Sequence, residues 1–344
     1  MRWVYWVWPV RISFAVAGNN PNFQYSIQSR LSKAAFLLLN AGVSLRLEML
    51  QVARLAPRVL GEASDLIKNF VHSRQNEDGG FQNRAGESDL YYTVFAMDAL
   101  AALQAELPSR KIKAYLECIG GGEDLDFVHV CCLARCWSAV ASVCAETISP
   151  ELVSSLGARI ESFRAQNGGY ATSPRALRGT AYGAFLAMGA HQDLGQTVPN
   201  PLALIQSLKY LEAADGAWVN ETFEGNPLPR RGSTNATAAA VTVLRNLSMP
   251  VNPAVGDWLL ARAHPQGGFC AAPGAPVPDL LSTATALHAL SGLERDFSAI
   301  KESCLDYVDS LWTNEGAFYG HWNEAHLDCE YTFYGLLALG HLSL

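Results

Sequence analysis

The chain has 344 residues, of which 49% are hydrophobic and 17% are charged, and its formal net charge is −7. It is long and apolar enough to bury a large core, whereas the acidic balance without any Lys/Arg-rich run argues against nucleic acid or an anionic membrane surface as a partner. The eight cysteines include no CxxC pair and no regular spacing. We therefore interpret them as reduced thiols and predict a cytoplasmic protein.

The N-terminal segment, residues 1–48, stands apart from the rest of the chain. Its apolar beginning resembles the core of a signal peptide, but Pro9 and Arg11 interrupt it, so we do not expect export. We also expect no transmembrane segment, because no apolar stretch is as long as a bilayer requires. We divide the chain into an N-terminal extension, residues 1–48, and one domain, residues 49–344. The extension is either part of the protein or an artefact of start-codon choice, with Met49 as the true start.

A short glycine-centred phrase recurs along the domain and predicts its architecture. The aromatic residues that close the phrase are Phe81, Tyr170, Trp218, Phe269 and Phe318. Their spacings are 89, 48, 51 and 49 residues, so the repeat is about fifty residues long and the first gap holds two units. Gly120–Gly122 supplies the missing phrase without its aromatic residue.

Each phrase precedes an apolar run with helical spacing, which an acidic or hydroxyl residue opens as expected of a helix N-cap. These predicted helix starts are Asp89, Thr180, Thr237, Asp279 and Asp328. A second helical stretch separates each run from the next phrase, as in Ala254–Ala263. Six helical hairpins with one helix of each on the inside close into a ring, which leaves no end unit uncovered. We predict an all-α fold, an α/α toroid.

The phrases and aligned inner helices resemble the α/α-toroid superfamily, which includes protein prenyltransferase β subunits and class II terpene cyclases such as squalene-hopene cyclase. The resemblance covers residues 50–344. It implies a funnel of inner helices whose apolar wall holds an isoprenoid. The aromatic residues that it places in this wall are Tyr91, Tyr92, Phe127, Trp137, Tyr182, Phe185, Tyr331, Phe333 and Tyr334.

The resemblance also implies a metal site. Protein prenyltransferases bind zinc through an Asp-x-Cys pair at the fifth inner helix and a His at the sixth. This chain keeps Asp279 but has Leu281 and Tyr331 in place of the Cys and the His. We expect that a divalent metal, Zn or Mg, is instead held by Asp279, Asp328 and Glu330, whose oxygen ligands suit Mg²⁺.

Anion binding is expected at three arginines. The family histidine of the diphosphate site matches Ser233, so the neighbouring pair Arg230 and Arg231 is the candidate phosphate clamp. Arg178 matches an arginine that prenyltransferases use near the peptide end of the funnel. We therefore assign these three arginines, with the tyrosines of the wall, to substrate binding.

Proton-initiated chemistry is the other implication of the resemblance. Terpene cyclases protonate an alkene from the middle Asp of an Asp-x-Asp-Asp run at an inner-helix start. The corresponding runs here are Asp124–Phe127 and Asp328–Tyr331, each without the last Asp. Asp126 or Glu330 would then be the acid, provided that the carboxyl group is desolvated.

Our first interpretation is an isoprenoid-diphosphate-using transferase of the protein prenyltransferase β-subunit type with a degenerate zinc site. Its catalytic candidates are Asp279, Glu330 and Asp126. The alternatives are a non-catalytic toroid that binds an isoprenoid or a protein, and a class II terpene cyclase-like enzyme. The expected partners are an isoprenoid or its diphosphate and a helical-repeat α subunit or another protein.

Overall fold

The structure is a computed structural model, and it describes residues 44–222 and 230–344. In chain order the helices are α1 Leu45–Ala53, α2 Pro57–Leu60, α3 Ala63–Ser73, α4 Leu90–Ala102, α5 Ser109–Ile119, α6 Phe127–Cys144, α7 Pro150–Glu161, α8 Ala181–Asp193, α9 Pro201–Tyr210, α10 Thr234–Asn246, α11 Ala254–Leu260, α12 Leu280–Gly292, α13 Lys301–Ser310 and α14 Cys329–Leu342. A 3₁₀ turn, Ser298–Ile300, precedes α13.

Three two-stranded antiparallel ribbons connect outer helices to inner helices. They pair β1 Phe81–Gln82 with β2 Ser88–Asp89, β3 Phe269–Cys270 with β4 Pro278–Asp279, and β5 Trp312–Thr313 with β6 Ala317–Phe318. Each ribbon contains the closing aromatic residue of a glycine phrase, which is buried.

The even-numbered helices from α4 to α14 form a closed ring. Each of them packs against the next, and α14 packs against α4. The odd-numbered helices from α3 to α13 form the outer layer of the six hairpins. The predicted α/α toroid is therefore confirmed, including the unit that begins at Gly120–Gly122 and leads into α6.

Hydroxyl groups on the inner helices link them to the glycine phrases. The side-chain oxygens of Thr93 and Thr283 accept hydrogen bonds from the backbone N–H of Phe81 and Phe269, each over 2.9 Å. The Thr237 side-chain oxygen accepts a hydrogen bond from the backbone N–H of Trp218 over 3.1 Å. Thr237 was the predicted start of this inner helix, but α10 begins one turn earlier at Thr234. These bonds satisfy buried donors and explain why the threonines recur with the aromatic residues.

The glycines of the phrases allow close contact with the next outer helix. Gly79 and Gly267 have φ angles of +98° and +92°, and a Cβ atom would lie 2.1 Å from Lys111 O and 1.9 Å from Ser303 O, respectively. At Gly316 a Cβ atom would lie 2.2 Å from Leu66 O. The last phrase therefore packs against α3, which closes the outer layer as well.

Helix α1 lies inside the ring, because it packs against α14, α4, α8 and α10. Its charged residues pair with the later turns of these inner helices. Arg46 Nε lies 3.0 Å from Asp98 Oδ1, and Arg135 pairs with the other oxygen of the same carboxylate. Glu48 lies 3.2 Å from Arg245. Helix α1 thus closes the end of the ring where the inner helices finish.

The predicted domain boundary at Met49 falls within this helix. Residues 45–48 therefore belong to an element of the ring interior, and a chain that began at Met49 would lack both Arg46 and Glu48. Residues 1–43 lie outside the described residues, so the status of the extension stays a prediction.

Helix α6 is long and apolar enough to cross a membrane by length and composition alone, although we expected no such stretch. Half of it is buried among α4, α5, α7 and α8, and this position in the ring accounts for its apolar character. All eight cysteines are unpaired, and six of them are buried, as their irregular spacing predicted.

Candidate functional site

The ring encloses a cavity of about 360 Å³, at the small end of the range for ligand pockets. Met49 of α1 lines it from the closed end. Tyr91, Tyr182, Phe185 and Tyr334, which belong to α4, α8 and α14, give it an aromatic side. Tyr182 is 37% exposed and lines the cavity. These four aromatic residues were all predicted for the wall.

The opposite side of the cavity is mixed and comes from α10, α12 and the loop before α10. Its polar residues are Asn220, Ser233, Asn235, Thr242, Thr285 and His288, and its apolar residues are Ala236, Ala238, Ala239 and Leu281. No Lys, Arg, Asp or Glu side chain is among the described residues that line the cavity. The sequence analysis did not assign Asn220, Asn235, Thr242 or Thr285.

A common helical position explains which side chains meet at the cavity mouth. The second residues of α4, α8, α10 and α12 are Tyr91, Tyr182, Asn235 and Leu281, and all four line the cavity. Glu330 is the second residue of α14 and contacts Tyr91. Equivalent positions of packed helices point the same way, so counting two residues from each N-cap would have found Asn235.

Glu330 is a carboxyl group held next to the aromatic side. The Tyr91 hydroxyl donates a hydrogen bond of 2.6 Å to its Oε1. Burial raises the pKa of Glu330 to about 7, against the opposing effect of the Tyr91 hydrogen bond. Glu330 is not itself among the described residues that line the cavity, and its link to the cavity is the wall residue Tyr91.

Asp328 is committed to a different cluster. It caps α14 by accepting from Tyr331 N over 2.9 Å, and Arg84 Nε donates to its Oδ2 over 2.9 Å. Arg84 also lies 3.3 Å from Glu324 and above the Tyr331 ring. Burial raises the pKa of Tyr92, beside this cluster, to about 12. Neither Tyr92 nor Tyr331 lines the cavity.

Asp279 likewise caps its helix, accepting from Ser282 N over 2.7 Å. The proposed metal ligands Asp279, Asp328 and Glu330 thus have three separate sets of partners. In the described part of the chain, no group of three or more His, Cys, Asp or Glu side chains is arranged to hold a metal ion. These residues do not fit one metal site, and a divalent cofactor stays a prediction.

Asp126 does not have the environment of a desolvated acid. It caps α6, and His129 bonds to it through both the backbone N and the ring Nδ1, each over 2.9 Å. Its side chain is 61% exposed. Burial alone would raise its pKa, but the bonds from His129 outweigh this effect and lower the pKa. The structure therefore contradicts the expected acid role of Asp126.

The predicted anion-binding arginines lie outside the cavity lining. Arg178 and Arg230 both lie over the ring of Tyr210, at 4.5 and 5.5 Å from its centroid. Arg230 also donates to Tyr210 O over 3.0 Å, and Arg231 is exposed. Two predicted binding residues are thus brought together at Tyr210. Their binding of an anion stays a prediction.

The remaining aromatic residues predicted for the wall serve elsewhere. Phe127 packs against Phe163 and Tyr170 in the core. Trp137 lines a separate pocket of about 230 Å³ between α6 and α7. Phe333 is buried and lines a smaller cavity that also includes Met49, below the main one. Helical spacing alone did not distinguish these positions from the cavity wall.

Comparison with known proteins identifies a family and a fold. The family model "Prenyltransferase alpha-alpha toroid domain" matches residues 58–132 and 236–342. Among solved structures, the type II terpene cyclase MstE from Scytonema in its apo form has a TM-score of 0.53 and 14% identity, covering 83% of this chain and 97% of the cyclase. A variant of it was solved with its substrate geranylgeranyl dihydroxybenzoate, with a TM-score of 0.54, 14% identity and coverage of 84% and 97%.

A protein from Actinoplanes has a TM-score of 0.55 and 14% identity, over 82% of this chain and 98% of that one. Candida albicans protein geranylgeranyltransferase-I has a TM-score of 0.40 and 14% identity, over 94% and 86%. No curated protein matches the sequence.

Proposed function

The chain belongs to the prenyltransferase alpha-alpha toroid domain family, and from this premise we propose that it is an enzyme that protonates an isoprenoid chain held in the ring. The observation that carries the proposal is Glu330, a carboxyl group with a pKa of about 7 next to an apolar, aromatic cavity. Its place in the run Asp328–Tyr331 corresponds to the acid of the terpene cyclases that the sequence resembles. The reaction class is proton-initiated cyclisation.

The proposed reaction begins when Glu330 gives its proton to one carbon of a double bond. The π electrons form the new C–H bond and leave positive charge on the other carbon. The π electrons of a second double bond in the same chain then form the ring bond. The last cation loses a proton to water, and Glu330 recovers a proton from solvent. General acid catalysis of this kind contributes about 10²- to 10⁴-fold.

The aromatic side of the cavity supports this chemistry. The faces of aromatic rings attract cations within about 6 Å of the ring centroid. Tyr91, Tyr182, Phe185 and Tyr334 offer such faces to the cavity. The Tyr91 hydroxyl bonds to Oε1, so in our proposal the other oxygen carries the transferred proton. The hydrogen bond also stabilises the carboxylate that remains.

Prenyl transfer from a diphosphate is the competing function. It requires cations or a metal to hold the diphosphate. Asp279, Asp328 and Glu330 have separate partners, and Arg178 and Arg230 lie against Tyr210 rather than in the cavity lining. Glu330 also lies outside this lining, so its hydrogen bond to the wall residue Tyr91 is what favours protonation over transfer. Proteins with the same fold include type II terpene cyclases, but this likeness concerns the fold alone.

Substitution of the proposed acid tests the function. Glu330→Gln keeps an acceptor for Tyr91 but has no acidic proton, so we expect turnover of a panel of isoprenoid alcohols and hydrocarbons to fall by about 10²- to 10⁴-fold. Binding measured by titration calorimetry is expected to change by no more than about twofold, because the cavity keeps its shape.

Glu315→Gln is the matched control, because Glu315 is exposed on the last glycine phrase, and it is expected to retain full turnover. Full activity of Glu330→Gln would refute the proposal. Metal-dependent release of diphosphate that requires Asp279 would establish transfer instead. Tight binding without turnover of any compound would indicate a non-catalytic toroid.

A further inference from the structure

The two sides of the cavity differ in chemistry, and this difference bears on the substrate. The aromatic side offers no hydrogen-bonding group besides the tyrosine hydroxyls. The side formed by α10 and the loop before it offers two amides and a hydroxyl close to the mouth, from Asn220, Asn235 and Ser233. A pure hydrocarbon would leave these groups without partners when it displaces water from the cavity, at a cost for each group.

One end of the Asn235 amide is available to a ligand. Its other end pairs with the Thr285 hydroxyl over 2.9 Å, and that hydroxyl also lies 2.8 Å from Leu281 O. The threonine hydroxyl has one proton, which it donates either to the Asn235 oxygen or to Leu281 O. In the first case the Asn235 amide presents its N–H donors to the cavity, and in the second it donates to the hydroxyl and presents its oxygen. A ligand hydroxyl, which both donates and accepts, satisfies either orientation.

Ser233 and Asn220 add to the same region. Ser233 precedes α10, yet its side chain makes no capping hydrogen bond, whereas the caps of the other inner helices accept one. Asn220 accepts from Tyr182 N through Oδ1 over 3.0 Å, and its amide N–H groups make no hydrogen bond to another described residue. The serine hydroxyl and this amide group both line the cavity.

The described lining at this position offers no positive charge to the commonest alternative head group, a diphosphate. A diphosphate requires charge-assisted hydrogen bonds from Arg, Lys or a metal to offset its desolvation. Among the described residues that line the cavity, no side chain carries a positive charge of that kind. His288 is buried at the far end, and burial lowers its pKa, so it does not replace one.

From this arrangement we infer that the α10 side of the cavity mouth binds an uncharged hydroxyl head group. The substrate is an isoprenoid alcohol or an isoprenoid phenol, and neither a diphosphate nor a hydrocarbon without oxygen. Asn235, Ser233 and Asn220 hold the head group, while the chain lies along the aromatic side. This inference rests on the proposed function for the identity of the chain, but its test does not require turnover.

The test compares three ligands that share one chain length: farnesol, farnesyl diphosphate and farnesene. Their dissociation constants are measured with the Glu330→Gln variant, so that chemistry does not interfere. We expect farnesol to bind about tenfold more tightly than either of the others, the equivalent of one good hydrogen bond. Tighter binding of farnesyl diphosphate, or equal binding of farnesene and farnesol, would overturn the inference.

Variants locate the head-group site. Asn235→Leu, of similar volume, is expected to weaken farnesol about tenfold and to leave farnesene within about twofold. Ser233→Ala removes no capping bond and is also expected to weaken the binding of farnesol more than that of farnesene. It serves as the test if Asn235→Leu does not fold. Thr242→Val is the control in the same cavity, because its hydroxyl already donates to Ala238 O over 2.8 Å. If Asn235→Leu and Ser233→Ala weakened the binding of farnesol and of farnesene equally, the head-group site would be refuted.

The two proposals fail separately. Selective binding of farnesol with no cyclised product from any compound would refute the acid role of Glu330 and keep the head-group site. Turnover that depends on Glu330, with farnesyl diphosphate as the preferred ligand, would support the acid role of Glu330 and refute the head-group site.

Discussion

Burial, the Tyr91 hydroxyl and the nearby charges of Asp328 and Arg84 together set the protonation of Glu330. Burial disfavours its charged form and raises the pKa, whereas the Tyr91 hydroxyl donates to the carboxylate and lowers it. The result, a pKa of about 7, is suited to a group that must carry a proton at neutral pH and yet release it. Tyr91 is therefore a positioning residue as well as part of the cavity wall.

Removal of the Tyr91 hydroxyl shifts the pH dependence in a defined direction. Without this hydrogen bond the carboxylate is less stable, so Tyr91→Phe is expected to raise the pKa of Glu330 by about one unit. The reaction needs the protonated acid, so the wild-type rate is full below pH 7 and falls about tenfold per unit above it. The descending limb of the pH–rate profile should move to higher pH in Tyr91→Phe.

The control for this experiment is Tyr115→Phe, which removes a tyrosine hydroxyl of α5 that does not line the cavity. Its descending limb is expected to remain near that of the wild type. A profile that is unchanged in Tyr91→Phe, or that moves to lower pH, would contradict the role given to Glu330.

At the scale of single residues, four of the five predicted helix starts are N-caps in the structure, but the partners of the site residues were not predicted. Glu330, Tyr91, Tyr182 and Tyr334 were named from their positions, and the structure brings them together. Asp126 is the N-cap of α6, the position that Asp328 rather than Glu330 has in α14, and it binds His129 and faces solvent. Burial and pairing of this kind depend on residues from other helices, which no local pattern records.

At the scale of elements, α1 is the one that sequence reasoning did not find. It has no glycine phrase, and its partners Asp98 and Arg245 are far away along the chain. Two ion pairs with these residues fix it inside the ring, and loss of one partner from a buried pair costs about 3–5 kcal/mol. Met49 then limits the depth of the cavity, so α1 and the site are physically connected.

A pair of glycine substitutions tests the position of α1. In α14, a Cβ atom at Gly340 would lie 2.1 Å from Val52 O of α1, whereas at Gly189 of α8 it would meet nothing within 4 Å. Gly340→Ala is therefore expected to lower the free energy of unfolding by about 1–3 kcal/mol. Gly189→Ala should raise it by up to about 1 kcal/mol through helix propensity. Denaturant unfolding measures both.

Equal effects of the two substitutions would show that α14 does not contact α1 as described. The comparison is informative because both glycines lie within inner helices and both changes add one methyl group. The contribution of helix propensity is therefore similar in the two variants, and the difference between their free energies of unfolding reports the contact with α1.

At the scale of the whole molecule, the ring was predictable because the sequence features that form it recur in successive repeats. The glycine phrase, the threonine that bonds to its aromatic residue and the following apolar helix recur with a constant period, and Gly316 packs against α3 to complete the closure. The site was only partly predictable, because unlike residues from α1 and from five of the six repeats form its described lining. Asn235 and Thr285, for example, are ordinary helix residues until the ring places them beside each other.

The most direct test of the central claim is incubation of the protein in D₂O with isoprenoid alcohols from geraniol to geranylgeraniol, followed by mass analysis of the products. Protonation by Glu330, which exchanges with solvent, predicts a cyclised product with one carbon-bound deuterium, and Glu330→Gln should form none. Release of diphosphate from farnesyl diphosphate without deuterium incorporation, or the absence of any deuterated product, would contradict the account.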